Sequence, residues 1–221
     1  GFAAKPASVL LLPGGKDGGA RGAVVGVEGA DDIWSWGGAA TALPAERYRI
    51  QPEPGAKTAG RAALGWALGG YGFTRYKSVE QGGAELVWPA KADRKAVEGA
   101  ARSTALVRDL VNTPSSDMGP AELAAAARKL AREFGARCTV TSGNALLTRN
   151  YPMIHAVGRA SVRAPRLIDL RWGRRGPRVT VVGKGVCFDS GGLDLKAAGP
   201  MKLMKKDMGG AAHALGLARM V

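Results

Sequence analysis

The stretch that most restricts how this chain can fold is RVTVVGKGVCFDSGGLDLKAAGPMKLMKKDMGGAA, residues 178–212. Its apolar opening, residues 179–182, reads as a short buried strand, and the pattern predicts a helix from about Met208 onward. Between the two, lysines and carboxylates stand in Gly-rich turns. Lys184 follows directly on the expected strand end, which is where ligands gather in an open α/β sheet. Asp189 comes next in FDSGG, where Gly191 and Gly192 allow the backbone to approach a ligand closely, and Lys196 and Asp207 complete the set. Two carboxylates and an amine that converge would suit a divalent zinc, manganese or magnesium ion. A lysine near its reference pKa of about 10.4 is a poor ligand, so coordination by Lys184 requires a metal to displace its proton.

The remainder of the chain supplies an α/β frame for this stretch. Residues 8–13 read as a strand ended by Pro13, Gly14 and Gly15, with further strands over 23–27 and, weakly, 48–50. Trp34 and Trp36 between them are read as packing anchors. Ala59, Ala62, Ala63 and Trp66 recur at helical spacing over 58–69, and GGYGF (69–73) is a turn, only loosely like an RNA-binding aromatic box. A Gly-rich loop follows Lys77, then an apolar stretch at 86–88.

A boundary near 88–93 divides an N-terminal α/β domain, 1–92, from a second part, 93–221. That second part opens on a helix with Asp93 as N-cap and Val97, Ala100, Thr104, Val107 and Val111 on one face. The loop NTPSSDMGP leads into another helix, with Pro120 in its first turn, Glu122 facing the dipole, and Leu123, Ala127, Leu130, Ala131 and Phe134 as its buried stripe before Gly135. Strands at 137–141, 166–172 and 179–182 then alternate with helix, which argues for the first part of a mixed or parallel sheet flanked by helices. The closing helix, 209–221, is expected to leave Leu215, Leu217, Met220 and Val221 without a covering layer.

Several chemistries are excluded by pattern. His155 and His213 form no HExxH pair and read as structural or surface residues. Ser190 lacks the GxSxG elbow, and Gly185 stands where a phosphate loop needs a hydroxyl. Lys202 and Lys205 read as a solvated basic face.

VGKGVCFDSGGLDLK followed by MKLMKKDMGGAA, together with NTPSSDMGP (112–120) and HAVGRAS (155–161), resembles the signature of the leucyl (cytosol) aminopeptidase family, the dinuclear-metal exopeptidases. The resemblance implies that Lys184, Asp189 and Asp207 are metal ligands, with Asp189 bridging both ions. It implies that Lys196 is the catalytic lysine that polarises the scissile carbonyl, and that Met204 and Asp207 contact the substrate. It further implies two divalent metal ions, zinc or manganese with magnesium also compatible, a bicarbonate base, peptide substrates with a free N-terminus, and a homo-hexamer. In the family a second acidic segment of the form NTDAEGR lies downstream, and this chain reaches Val221 before one, so an N-terminal fragment is expected, inactive by itself.

The formal charge of +14 invites an anionic partner, and a DNA-binding role is the alternative reading, but the basic residues are spread along the chain rather than clustered. Only Cys138 and Cys187 occur, without a CxxC pair, and the N-terminal apolar run is too short for a signal core or a membrane span. A cytoplasmic protein with no membrane contact is expected.

Overall fold

Strand β1 (Val9–Pro13) pairs antiparallel with β2 (Ala20–Val25) in the computed structural model, which describes residues 2–14, 20–29, 31–78 and 83–221. Gly15 and most of the Gly-rich stretch after Lys77 lie outside the described residues. The chain divides into two units, Gly1–Ala105 and Leu106–Val221.

In the first unit, helix α1 (Ile33–Ala42) begins where Asp32 accepts the N–H groups of Trp34 and Ser35, each at 3.0 Å. Its apolar periodicity is diluted by Gly37 and Gly38, and only the N-cap carboxylate announces it. Trp34 is no packing anchor, because it lies on the outer face of α1 and is 66% exposed, while Trp36 is half-buried. Helix α2 (Ala56–Gly69) buries Ala59, Ala62, Ala63 and Trp66, the expected face. It connects β3 (Arg47–Tyr48) to β4 (Glu85–Leu86), which pair in parallel, so this is a strand–helix–strand crossover in miniature. Trp66 is anchored by its indole N–H, which donates to the Ala84 carbonyl at 3.1 Å, and packs with Ala39, Ala40 and Leu43.

Helix α3 (Arg94–Asn112) starts on Asp93, whose Oδ1 accepts the Ala96 N–H at 3.1 Å. In the second unit α4 (Pro120–Glu133) is capped by Glu122, which reaches back to the Gly119 N–H at 3.0 Å. Leu123, Ala124, Ala127, Leu130 and Ala131 are buried. Phe134 departs from the predicted stripe: it is the C-cap and 43% exposed, since the chain turns away at Gly135 (φ +64°) and Ala136 N–H closes on the Ala131 carbonyl at 2.8 Å.

Strand β5 (Arg137–Ser142) pairs antiparallel with β6 (Arg166–Arg171), and the short helices α5 (Ala145–Thr148) and α6 (Pro152–Gly158) lie between them in sequence. The architecture is α/β, as expected, but among the described residues this antiparallel pair is the whole sheet of the second unit. The strand expected at 179–182 does not form. Val179 and Val182 are 85% and 89% exposed and no ladder runs beside them, and a strand exists only where a neighbour supplies the other half of its hydrogen bonds.

The chain ends through α7 (Ala198–Met201), a 3₁₀ turn (Met204–Met208) and α8 (Gly209–Met220). Met208 and Ala212 are fully buried with Leu110, Met118 and Leu123 in the core of this unit. Leu215, expected to lack a partner, packs against that core, whereas Leu217, Met220 and Val221 are exposed. No helix among the described residues is long and apolar enough to cross a membrane.

Candidate functional site

Two glycines decide where Lys184 stands. A Cβ added at Gly183 would lie 2.4 Å from the Gly210 carbonyl oxygen, and one added at Gly210 would lie 2.8 Å from the Lys184 nitrogen. The 183–185 backbone therefore rests directly on the first turn of α8, and Ala211 N–H donates to the Lys184 carbonyl at 2.8 Å. The Lys184 side chain is thereby brought to Asp207, which sits in the 3₁₀ turn just before α8. Its ammonium nitrogen lies 2.9 Å from each carboxylate oxygen. Only Oδ1 is in line to accept the hydrogen bond; Oδ2 has proximity without the angle, and is buried with no hydrogen-bond donor.

Asp189 is held by a second turn. Its Oδ1 accepts the Gly191 N–H at 2.9 Å, and its Oδ2 lies 3.1 Å from Lys196 Nζ. Gly191 has φ +96°, and a Cβ there would lie 2.2 Å from the Asp194 carbonyl oxygen, so only glycine closes this turn. Closure lets Lys196 N–H donate to the Ser190 carbonyl at 3.0 Å, which returns Lys196 to Asp189.

The two ion pairs form one electrostatic cluster. The hydrogen bond to Asp207 raises the Lys184 ammonium above the ordinary lysine range, with the Asp207 and Asp189 charges adding to it. The Gly191 N–H holds the Asp189 carboxyl below the ordinary range, and Lys196 and Lys184 lower it further. Each carboxylate thus already faces a cation. Met204 opens the 3₁₀ turn and is half-buried.

The donors suit a divalent ion in chemistry: two carboxylates, one amine, and in Asp207 Oδ2 a buried acceptor with no hydrogen-bond donor. Among the described residues no third His, Cys, Asp or Glu joins the two aspartates, so Lys184 is the remaining donor and must lose its proton to serve.

The cysteine in this stretch and the two histidines are structural. The Cys187 thiol is pushed up to about 11 by burial against the core, with Glu122 adding to the shift, so it is a neutral packing group. His213 Nδ1 donates to the Gly209 carbonyl at 2.7 Å and His155 Nε2 to Asn144 Oδ1 at 3.2 Å, as expected of histidines that hold the fold.

Two long-range side-chain contacts were not legible in the sequence. Arg163 donates to the Ser115 and Ser116 carbonyls at 2.8 and 2.6 Å and so holds the NTPSSDMGP loop. Lys205, read as part of a solvated face, donates to the Asn112 carbonyl at 2.8 Å. Both contacts join residues far apart in the chain, and no local pattern marks them.

The chain matches two protein-family models. The model described as "Cytosol aminopeptidase family, catalytic domain" matches residues 105–221, and that described as "M17 aminopeptidase, N-terminal domain" matches residues 1–89. A protein named "Probable cytosol aminopeptidase" from Rhodococcus opacus is 38% identical over 171 residues, covering 69% of this chain and 34% of the relative. The chain therefore spans about a third of the length of the curated relatives it matches. Among solved structures, the cytosol aminopeptidase from Coxiella burnetii superposes with a TM-score of 0.93 at 44% identity, over 100% of this chain and 48% of that one. The bottromycin maturation enzyme BotP in complex with Mn superposes with a TM-score of 0.81 at 34% identity, over 100% of this chain and 51% of that one. The chain belongs to the cytosol aminopeptidase family.

Proposed function

We propose that the protein is a metal-dependent aminopeptidase that releases N-terminal amino acids, of the leucine type, from peptides. The observation that carries this reading is the cluster of Lys184, Asp207, Asp189 and Lys196, built on turns that only glycine can close. Membership in the family supports it, and the manganese in BotP supports a divalent ion.

Lys184, Asp189 and Asp207 would hold the metal, which when bound supplies Lewis acidity and a water of lowered pKa. Asp189, ion-paired with Lys196 at 3.1 Å and lowered further by the Lys184 charge, would be the carboxylate that serves both ions. Asp207 would contact the substrate's free ammonium, and that preference for a free amine makes the enzyme an exopeptidase. Lys196 donates an N–H to the scissile carbonyl and stabilises the negative charge that develops on its oxygen, a role for which loss of one donor costs about 3–4 kcal/mol. Met204 gives the substrate's first side chain an apolar wall. Two ions, zinc or manganese, a bicarbonate base, a homo-hexamer and a cytoplasmic location complete the reading.

The test is hydrolysis of leucyl-p-nitroanilide and of blocked and unblocked leucyl peptides by the full-length protein, with and without added Mn²⁺ or Zn²⁺. Metal-dependent release from unblocked substrates alone is expected. Cleavage of an N-acetylated peptide, or turnover unaffected by chelation, would overturn the proposal.

A further inference from the structure

Of the basic run in KLMKKD, Lys202 and Lys206 are exposed, but Lys205 is drawn in. Its Nζ donates to the Asn112 carbonyl at 2.8 Å, across 93 residues of chain. Asn112 is the last residue of α3, where carbonyls have no partner within the helix and the negative end of the dipole favours a cation. Lys205 therefore caps α3 from the 3₁₀ turn.

The form of that turn gives the cap a consequence for the site. In a 3₁₀ helix residues three apart eclipse one another, so Lys205 and Met208 share one face and Met204 and Asp207 share another. The first face is anchored twice, through Lys205 on α3 and through fully buried Met208 beside Leu110 and Met118. The second carries Asp207 to Lys184 at 2.9 Å, with Met204 alongside. Fixing one face fixes the other.

We infer that Lys205 is a positioning residue, whose bond to the end of α3 sets the rotation of the 3₁₀ turn and with it the placement of Asp207 and Met204. The inference rests on the metallo-aminopeptidase reading for its effect on turnover, but not for its effect on the turn. Its sign distinguishes it from a simple charge effect: a lysine acting only by charge repels a cation, so its loss would tighten metal binding, whereas loss of a positioning lysine weakens it.

The test compares Lys205→Met and Lys205→Arg in the full-length protein by Mn²⁺ calorimetry, by amide exchange across Met204–Met208, and by kcat and KM on leucyl-p-nitroanilide. Expected for Lys205→Met are Mn²⁺ binding weakened about tenfold, lower kcat, and faster exchange in the turn with α4 unchanged; Lys205→Arg restores all three. Unchanged or tighter Mn²⁺ binding, or unaltered exchange in the turn, would overturn the inference. If the parent protein hydrolyses no leucyl anilide, the aminopeptidase reading fails while the exchange and its rescue by arginine still decide the role of Lys205. Should Lys205→Met not fold, Lys205→Ala, which also removes the donor, is read by the same criteria.

Discussion

Helix α4 and residues 172–197 belong to the same unit, yet one is fully regular and holds no proposed ligand, while the other has neither helix nor strand and holds Lys184, Asp189 and Lys196. Helix α4 is secured by many small contributions: a Glu122 cap, a stripe of alanine and leucine, and a C-terminal closure at Gly135. The 172–197 segment is secured by a few specific contacts: the Trp172 indole N–H on the Phe134 carbonyl, Ala211 N–H on the Lys184 carbonyl, the Gly191 turn, two lysine–carboxylate pairs, and Cys187 packed against the core. The difference teaches that substitutions should act gradually in the helix and abruptly in the segment. Packing spreads a loss over neighbours, whereas a single backbone contact cannot.

The largest effect that tests this contrast lies in the Asp189–Lys196 pair. Asp189→Ala should abolish both Mn²⁺ binding and peptidase activity, whereas Lys196→Ala should keep the metal and lower kcat about 10²–10³-fold, since one residue is a ligand and the other an electrophile. Equal metal loss in both variants, by elemental analysis, would break the assignment of Lys196.

Next comes the backbone contact. Gly183→Ala places a methyl 2.4 Å from the Gly210 oxygen and should destabilise by about 1–3 kcal/mol while weakening Mn²⁺ binding. Gly199→Ala, with nothing within 4 Å, should do neither. Thermal unfolding and calorimetry on the pair would sharpen the comparison, and equal behaviour would dissolve it.

A helix counterpart is smaller. Glu122→Ala removes the acceptor for Gly119 N–H and should cost about 1 kcal/mol in denaturant unfolding with Mn²⁺ affinity unchanged. A large loss of metal affinity would mean that α4 is coupled to the site more tightly than its regularity suggests.

The smallest effect concerns pH. The Asp32 carboxyl is held below the ordinary aspartate range, chiefly by the Ser35 hydroxyl and then by the Trp34 N–H. A lowered folded-state pKa means that this contribution is complete above about pH 4 and is lost as pH falls through the lowered value. Acid unfolding of the parent should therefore be steeper than that of Asp32→Asn. Identical slopes would show that the N-cap of α1 carries no charge dependence.

Sequence patterns were sufficient for α2, α3 and α4, because caps and apolar spacing act within one or two turns of chain. Ala59, Ala62, Ala63 and Trp66 are buried where periodicity puts them, and Asp93 caps the helix it precedes. The candidate site residues were also legible, as types at a spacing. Helix α1 was missed, since glycines diluted its pattern, and the 179–182 strand was wrongly expected, since apolar composition cannot supply a hydrogen-bonding neighbour. What the sequence determined by itself is the set of local elements and the inventory of lysines and aspartates. Only the tertiary structure decided which lysine faces which aspartate, that Gly183 and Gly210 touch, and that Lys205 reaches the end of α3. Those contacts join residues far apart in the chain, and they depend on distances and angles that emerge only when the elements pack.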